Sequence, residues 1–451
     1  MYCNCISILS RRTTMKRTLW LLLLLLIGLC IADHATKQQK PSRKQKVDHS
    51  ECSKQTSAAT LMNSSLPSGN EEQIPTVLSF ANVSQMSSDF GFNLYRKIAN
   101  KHDNNIFFSP FSVSLGLSSL LLGTRGNTYD QLLHGLNYNP FKDQENPYLL
   151  PELLKTIKEK IAKNEELVLN IGSLSFLHET FSMKDEFVNL TKKYFDMEYE
   201  LIDFHSSKAK NEINAYVEKL TKGLISNFYD FIDPQTKLLL LDYIFFKGKW
   251  QYPFNPALTE VDSFFIDKYN SVTVPMMYKT DKVASVFDKD LSCTVFKLPY
   301  RGNAHMLIIK PEKEGDFGIL EDHLTKELIN SWQAKMQSRK TDIFFPKFKL
   351  DQKYKLKSSL NELGIKELFT GKANLTDLTE ERNLMLTEIT QQAMIEVDER
   401  GTEAAAVAGA EIIAYSLPLT IRVNRPFLFM IFEEAYQSLL FLGRVMDPTK
   451  L

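Results

Sequence analysis

Hydrophobic and polar positions divide the chain into an apolar run near the N-terminus, a polar stretch, and a long region of mixed periodicity. Residues 19–31 are apolar, whereas residues 33–86 are polar and show no period. From about residue 88, some segments repeat apolar residues at helical spacing, while others alternate with period two or are continuously apolar. This mixture, which has no internal repeat, predicts an α+β fold.

The individual elements can be predicted from these patterns. Helices are expected at residues 110–122, 149–161, 209–225, 317–332 and 354–363. Strands are expected at residues 166–177, 237–246, 294–298, 305–309, 393–397, 421–432 and 438–445. The run at 237–246 is almost continuously apolar, which is typical of a central strand that is buried on both faces.

The apolar run at 19–31 has the features of a secretory signal peptide. Lys16 and Arg17 precede it, and residues 30–32 offer a small-residue cleavage site. The run is shorter than the about 20 residues of an ordinary membrane span, so a retained anchor is the weaker alternative. We expect residues 1–32 to be the signal region, in which the signal peptide itself starts at Met15. A disordered polar tail should follow over residues 33–86, and one folded domain over 87–451.

Composition narrows the class of protein. The formal net charge is +0, which gives no global field for binding nucleic acid or membranes. Two of the five cysteines, Cys52 and Cys293, would remain after signal cleavage, so the chain is not a disulfide scaffold. We expect Cys293 to be a buried free thiol, whereas Cys52 could pair with another molecule. Candidate glycosylation sites are Asn63, Asn82, Asn189 and Asn374.

Motifs for catalysis are missing from the sequence. It contains no Gly-x-Ser-x-Gly motif, no phosphate-binding loop and no histidine–glutamate cluster with metal-ligand spacing. We therefore expect no enzymatic activity and no metal site.

Residues 397–418 have a composition that is unusual for either a core or a loop. Between Gly401 and Ala410 the side chains are mostly small and uncharged, and alanine favours a helix locally. With period two, however, Thr402, Ala404, Ala406 and Ala408 would line one face of a strand. That face could slide between two existing strands, which suggests a conformational switch.

This segment and several others resemble the serpin family. Residues 399–406 (ERGTEAAA) resemble the hinge of an inhibitory serpin. Further segments follow in serpin order: 105–112 (NIFFSPFS), 245–250 (FFKGKW), 344–348 (FFPKF), 363–365 (LGI), 424–427 (NRPF) and 441–445 (FLGRV). The resemblance implies a serpin fold with three β-sheets, about nine helices and an exposed reactive-centre loop at about 399–418.

An inhibitory mechanism is implied by this resemblance. A target serine protease would attack the Tyr415–Ser416 bond and form an acyl-enzyme, and the freed loop would then insert into the main sheet. The hinge residues are Glu399, Gly401, Thr402, Ala404, Ala406 and Ala408. A solvated alanine-rich loop without function is the alternative.

A gate that admits the loop is expected beneath the sheet. Serpins commonly have Asn and His where this chain has Asp242 and Gln391, and the joint change suggests that the two residues touch. A hydrogen bond from the Gln391 amide to Asp242 is therefore expected, with Ser109 and Ser112 as neighbours.

Protein partners are also implied by the resemblance, which is strongest to serpins that use vitamin K-dependent protein Z. It implies coagulation factor Xa as the main target, factor XIa as a second target, and plasma as the location. Calcium and phospholipid would act through protein Z, whose binding residues map to Asp267, Lys268, Tyr269 and Asp322. Tyr415 suits the pocket of a chymotrypsin-like protease better than that of factor Xa, so the cofactor would have to compensate.

Three alternatives remain open from the sequence. A helix with Lys155, Lys158, Lys160 and Lys163 could bind heparin, although interleaved glutamates favour a solvated face. The chain could be a non-inhibitory serpin that acts as a carrier or chaperone, against which the uncharged hinge argues. It could also inhibit a chymotrypsin-like protease without a cofactor.

Overall fold

The computed structural model describes residues 78–163, 166–313, 317–400 and 418–451. Within these ranges there are nine α-helices and fourteen strands. The helices are α1 Phe80–Ala99, α2 Pro110–Leu121, α3 Gly126–Gly135, α4 Leu149–Ala162, α5 Asp185–Phe195, α6 Ala209–Leu220, α7 Phe317–Asp322, α8 Lys326–Lys335 and α9 Lys357–Glu362.

The strands follow the same numbering along the chain. They are β1 Ile106–Phe108, β2 Leu167–His178, β3 Glu198–Ile202, β4 Leu238–Gly248, β5 Glu260–Phe265, β6 Ser271–Asp288, β7 Cys293–Pro299, β8 Ala304–Pro311, β9 Gln337–Pro346, β10 Phe348–Lys355, β11 Glu388–Val397, β12 Leu419–Arg422, β13 Phe427–Glu433 and β14 Ser438–Val445. Because helices and strands are intermixed along the chain, the α+β prediction is confirmed.

The described strands form two hydrogen-bonded sheets. The larger has the order β1-β14-β13-β8-β7-β6-β9-β12, with β5 paired to β6, and the smaller has the order β10-β11-β4-β2-β3. Three sheets were expected, and the described strands are connected into two. The reason is the length of β6, which pairs with β5 at one end, with β7 at the other and with β9 over most of its length.

Strand β4 has a different hydrophobic layer on each face of the smaller sheet. Leu240 and Ile244 belong to the main core, which also contains the α2 side chains. The alternate residues Leu239 and Leu241 pack in a second cluster with Ile213 of α6. This explains the nearly continuous apolar run of the sequence, because a strand covered on both faces favours apolar residues at successive positions.

Helix α2 runs between the two sheets and contacts both β4 and β14. Every residue of this helix is buried. Its start is specified locally, because the Ser109 side chain accepts a hydrogen bond from the Ser112 N–H and Pro110 occupies the first turn.

Several predicted boundaries are wrong. The first helix begins at Phe80, inside the segment expected to be a disordered tail, because Ser79 and Asn82 form a cap in which the Asn82 side-chain oxygen accepts the Ser79 N–H at 2.9 Å. The helix expected at 317–332 is two helices, since Thr325 caps α8 by accepting the Leu328 N–H. The strand expected at 421–432 breaks between β12 and β13, where Pro426 has no N–H to donate.

Two predicted helices are shorter than expected. The helix expected at 354–363 begins only at Lys357, because β10 continues to Lys355, and the helix expected at 209–225 ends at Leu220. Within the described ranges, no helix is both long enough and apolar enough to cross a bilayer.

Candidate functional site

The boundary between β4 and β11, which we call the seam, places two of the predicted gate residues side by side. The strands are parallel, and Asp242 lies directly opposite Gln391. Both residues are fully buried. Because Asp242 alternates with the Leu239 and Leu241 positions along β4, it shares the face of Leu240 and points towards α2.

The Gln391 side chain connects the seam to the start of α2. Its Oε1 accepts the Ser109 N–H at 2.8 Å, and its Nε2 donates to the Ser109 carbonyl oxygen at 3.0 Å. The Ser109 hydroxyl in turn donates to the Leu440 carbonyl oxygen at 2.7 Å and accepts the Ser112 N–H at 3.1 Å. One side chain therefore links β11, α2 and, through Ser109, β14.

Asp242 is held by β2, which pairs with β4 on the edge away from the seam. Its Oδ1 accepts a hydrogen bond from the Ser173 hydroxyl on β2, while Oδ2 has no partner among the described residues. A Cβ atom added at Gly116 would lie 2.6 Å from Oδ2, so α2 covers this carboxyl closely. Burial raises the pKa of Asp242 to about 8, although the Ser173 hydrogen bond acts in the opposite direction.

The expected hydrogen bond between Gln391 and Asp242 is wrong. Gln391 uses its amide on the backbone of Ser109, where the helix start offers an N–H and a carbonyl group together. Asp242 bonds to Ser173, which is its register partner on β2. The Ser112 hydroxyl has no partner within the part of the chain that the structure describes, so the gate contains two unpaired buried oxygens.

The described residues at the start of the predicted loop are anchored at the end of β11. Glu399 Oε2 lies 2.8 Å from Lys347 Nζ, and its Oε1 accepts the Thr259 hydroxyl at 2.8 Å. Burial acts to raise the pKa of Glu399, but the hydrogen bonds from Lys347 and Thr259 outweigh it and hold the pKa below its usual value.

Backbone contacts complete this anchor. Trp250 Nε1 donates to the Asp398 carbonyl oxygen at 2.9 Å, and the Phe254 N–H donates to the Glu399 carbonyl oxygen at 2.8 Å. Trp250 stacks on Tyr300 with ring centroids 4.3 Å apart, which fixes the indole. We refer to Lys347, Thr259, Trp250 and Phe254 together as the hinge anchor.

Sequence reasoning did not assign a role to the hinge anchor. Lys347 stands inside the motif at 344–348, and Trp250 ends the motif at 245–250, so the signal was present. Those motifs could be recognised, but the pairing of Lys347 with Glu399 depends on Phe348, the first residue of β10, pairing with Val397 at the end of β11.

Comparisons with known proteins agree with this architecture. Residues 85–448 match the family described as Serpin (serine protease inhibitor).

The chain belongs to the serpin family.

Individual relatives show which members of the serpin family this chain is similar to. It is 48% identical over 371 residues to a protein Z-dependent protease inhibitor of Mus musculus, which covers 82% of this chain and 83% of the relative. Identity to the Homo sapiens protein of that name is 49% over 371 residues, with the same coverage. The crystal structure of mouse protein-Z dependent protease inhibitor superposes with a TM-score of 0.78 at 47% identity, covering 82% of this chain and 98% of that one.

Part of the predicted serpin machinery lies outside the described residues. This holds for the reactive bond at Tyr415–Ser416 and for the hinge residues Gly401, Thr402, Ala404, Ala406 and Ala408. It also holds for the predicted signal peptide, for most of the predicted tail, and for Cys52 and Asn63.

The residues predicted to bind a cofactor protein, which we call the predicted patch, include the exposed residues Tyr269 and Asp322. Tyr269 is 87% exposed, and the Asp267 carboxylate holds its turn by accepting the N–H groups of Tyr269 and Asn270. The Asn270 side-chain amide also donates to the Asp267 carboxylate, and this bond, together with the two backbone bonds, lowers the pKa of Asp267. Asp267 and Lys268 line the same cavity of about 390 Å³ as Phe317, the first residue of α7, and α7 ends at Asp322. The structure thus places the two parts of the predicted patch on neighbouring elements.

Two of the four lysines near α4 are tied to the end of α5. Lys155 Nζ donates to the Lys193 carbonyl oxygen at 2.7 Å, and Lys158 Nζ donates to the Phe195 carbonyl oxygen at 2.7 Å. Both acceptors lie at the end of α5, where a cation stabilises the exposed carbonyl groups. Lys163 Nζ lies 3.8 Å from a Glu159 carboxylate oxygen, and Lys160 is exposed. The contacts therefore give Lys155 and Lys158 a structural role, and the heparin site stays a prediction.

Three predicted glycosylation residues are described. Asn189 is exposed on α5, whereas Asn82 is half-buried and its oxygen takes part in the cap of α1. At Asn374 the side-chain oxygen accepts the Thr376 hydroxyl at 2.9 Å, which joins the two functional positions of the sequon.

Cys293 is buried and has a free thiol in the described structure, as the sequence predicted. Burial raises the pKa of this thiol to about 12, which keeps it protonated and unreactive.

Proposed function

We propose that this serpin is a secreted inhibitor that traps a serine protease as a covalent acyl-enzyme after cleavage between Tyr415 and Ser416. Its main target would be coagulation factor Xa, with protein Z, calcium and phospholipid, and factor XIa would be a second target. The observation that carries the inhibitory mechanism is the seam, because the chain leaves β11 directly at the end of a parallel strand pair, between whose strands the loop would insert.

Strand direction supports insertion at the seam. The pairs β10/β11 and β4/β2 are antiparallel, whereas β11/β4 is parallel. A segment that turns back after Glu399 would run antiparallel to both β11 and β4. It would replace one parallel ladder by two antiparallel ladders, and antiparallel pairing is slightly more stable per residue. Insertion therefore adds backbone hydrogen bonds that the closed sheet lacks.

The gate supplies a second supporting observation. Asp242 Oδ2 and Ser112 Oγ are buried without partners among the described residues. Each unpaired buried polar group costs on the order of 1–3 kcal/mol. These groups destabilise the closed sheet, and that agrees with a native state that gains free energy when the loop inserts.

The composition of the loop fits the space that insertion would fill. A strand entering the seam would lie between α2 on one face and the cluster around α6 on the other. Thr402, Ala404, Ala406 and Ala408 offer small uncharged side chains for one of these faces. A charge at those positions would cost several kcal/mol of desolvation.

The cofactor assignment rests on the relatives and on the predicted patch. Protein Z dependence is stated in the names of the mouse and human relatives. The patch with Tyr269 and Asp322 offers an aromatic anchor and a carboxylate on neighbouring elements. A Tyr residue before the cleaved bond is a poor fit to a protease pocket that prefers Arg. Protein Z on a phospholipid surface would offset this by raising the effective concentration of the two proteins.

Incubation with factor Xa, followed by a denaturing gel, tests this proposal. The reactions contain the secreted glycoprotein with or without protein Z, calcium and phospholipid, and parallel reactions contain heparin or factor XIa. We expect an SDS-stable complex with factor Xa that forms much faster when all three cofactors are present. A complex with chymotrypsin-like proteases alone would refute the protein Z assignment, and cleavage at Tyr415 without any complex would refute inhibition.

A further inference from the structure

A cavity of about 660 Å³ lies among α2, α3, α4 and α5, and we call it the helical cavity. Its apolar walls include Leu133 of α3, Leu150 of α4 and Phe187 of α5. None of its lining residues belongs to the seam, the hinge anchor or the predicted protein Z patch. Its volume falls within the roughly 300–1,000 Å³ of pockets that hold small organic ligands.

The helical cavity has one unusual polar group on its wall. Ser118 of α2 lines it and is 1% exposed, yet its hydroxyl oxygen has no hydrogen-bond partner among the described residues. The adjacent Ser119 does not line the cavity, and its hydroxyl donates to the Gly116 carbonyl oxygen at 2.7 Å. Buried hydroxyl groups are nearly always paired, so the Ser118 hydroxyl is available to a bound molecule.

Charged residues surround the mouth of the cavity, but its cations are neutralised. Arg125 Nε lies 2.5 Å from Asp377, and Lys142 Nζ lies 2.8 Å from Asp130. The third cation, Lys184, lies 2.6 Å from a carboxylate oxygen of Glu380. The exposed Glu186 also lines the mouth. An anionic ligand would be repelled by these carboxylates and would compete with them for the cations, whereas an uncharged ligand would not.

Close packing fixes the inner part of this cavity. A Cβ atom added at Gly123, just beyond α2, would lie 2.8 Å from the Phe187 ring. The absence of a side chain at Gly123 lets α5 approach α2 closely. The segment that follows α9 joins the two sides, because the Arg125 N–H donates to the Asn374 carbonyl oxygen and the Lys184 N–H donates to the Leu378 carbonyl oxygen.

We propose that the helical cavity binds an uncharged lipophilic molecule that carries one hydroxyl or carbonyl group. That group forms a hydrogen bond with the Ser118 hydroxyl, and the apolar part of the molecule packs against Leu133, Leu150 and Phe187. The binding is independent of the seam and of the reactive bond.

Fluorescence titration with Nile red tests this site, because the dye is uncharged and lipophilic and has a carbonyl acceptor. The full-length secreted protein should bind it saturably with one site per chain. Ser118→Ala should weaken binding about fivefold, since one net hydrogen bond is worth about 1 kcal/mol. Ser119→Ala is the matched control and should bind like the unaltered protein. Leu122→Trp, which fills the half-buried wall near the mouth, should abolish binding.

A competition experiment tests the class of ligand. 1-Decanol should displace Nile red at lower concentration than decanoate, because only the alcohol enters without repulsion from the carboxylates at the mouth. Thermal unfolding of each variant shows that it is folded. Equal binding by the Ser118→Ala, Leu122→Trp and unaltered proteins would overturn the site, as would the absence of saturable binding. More effective displacement by decanoate would overturn the assignment of an uncharged ligand.

Discussion

Asp242 and Gln391 lie directly opposite one another across the seam, yet their side chains form hydrogen bonds with different elements. Asp242 is bonded to Ser173 on β2, and Gln391 is bonded to the backbone of Ser109 at the start of α2. No side-chain bond between these two residues has to break when the seam opens. Instead, the free energy of opening depends on the Gln391 hydrogen bonds that tie β11 to α2 and on the cost of burying the Asp242 carboxyl.

The link between Gln391 and Ser109 should stabilise the closed sheet. Gln391→Ala would leave the buried N–H and carbonyl groups of Ser109 without their side-chain partner. We expect a loss of about 1–3 kcal/mol in the free energy of unfolding, measured by urea denaturation. Gln392→Ala removes only a half-buried amide that bonds to Asp351 and should cost about 0.5 kcal/mol. Equal losses for the two variants would contradict the assignment.

The buried carboxyl of Asp242 should make stability depend on pH. Its pKa is raised to about 8, whereas an unfolded Asp has a pKa of about 3.9, so between these values the folded state holds one more proton. Stability should therefore fall as pH rises through this window, with a limiting slope of about 1.4 kcal/mol per pH unit.

Substitution by a neutral amide tests that slope. Asp242→Asn should raise the melting temperature at pH 8 and have a much smaller effect at pH 4.5. Asp230→Asn, at an exposed position, is the control and should change little at either pH. An identical shift at both pH values would show that ionisation of Asp242 is not the cause.

Lys347 should hold the start of the loop through Glu399. Lys347→Met removes the ion pair but keeps the length of the side chain, so we expect faster hydrogen exchange of the Phe254 N–H, which donates to Glu399. Lys349→Met changes an exposed lysine two positions away and should leave that exchange unaltered. Unchanged exchange in both variants would remove Lys347 from the hinge anchor.

Insertion of the loop should be blocked by a charge on its small-residue face. Thr402→Arg should convert the inhibitor into a substrate, because burying an unpaired charge costs several kcal/mol. Glu403→Arg places the same side chain on the opposite face, where a charge already stands, and should retain inhibition. The measurement is the ratio of SDS-stable complex to cleaved protein on a denaturing gel. A stable complex with Thr402→Arg would contradict the insertion model.

The predicted patch should supply most of the affinity for protein Z. Tyr269→Ala and Asp322→Ala should each weaken binding, by about 2 kcal/mol for an aromatic anchor such as Tyr269, and leave factor XIa inhibition largely intact. Phe231→Ala removes another exposed aromatic residue, which is 70% exposed, and should have no effect. Surface plasmon resonance gives the affinities. Unaltered binding by both patch variants would exclude this surface.

Buried elements with a strong local pattern could be predicted well from the sequence. β4 was recognisable because both of its faces are apolar, and α2 was recognisable because Pro110 and the cap at Ser109 mark its start. The break at Thr325 and the division of β12 from β13 at Pro426 were missed. At both places the apolar pattern continues while a cap or a missing N–H ends the element.

Gate contacts could not be predicted to the same extent. The sequence correctly brought Asp242 and Gln391 together, but it assigned them to each other. Which partner a buried amide takes depends on the position of the neighbouring helix, and that position is set by the packing of α2 between the two sheets.

The sequence by itself determined the family, the order of most elements and the two residues that face each other at the seam, because these follow from local patterns and ordered motifs. Only the tertiary structure decided how those residues are connected. Lys347 meets Glu399 because β10, which starts at the next residue, pairs with β11, and Ser118 borders the helical cavity because α2 packs against α3, α4 and α5. Contacts between distant segments depend on how layers pack, and no local pattern along the chain records that packing.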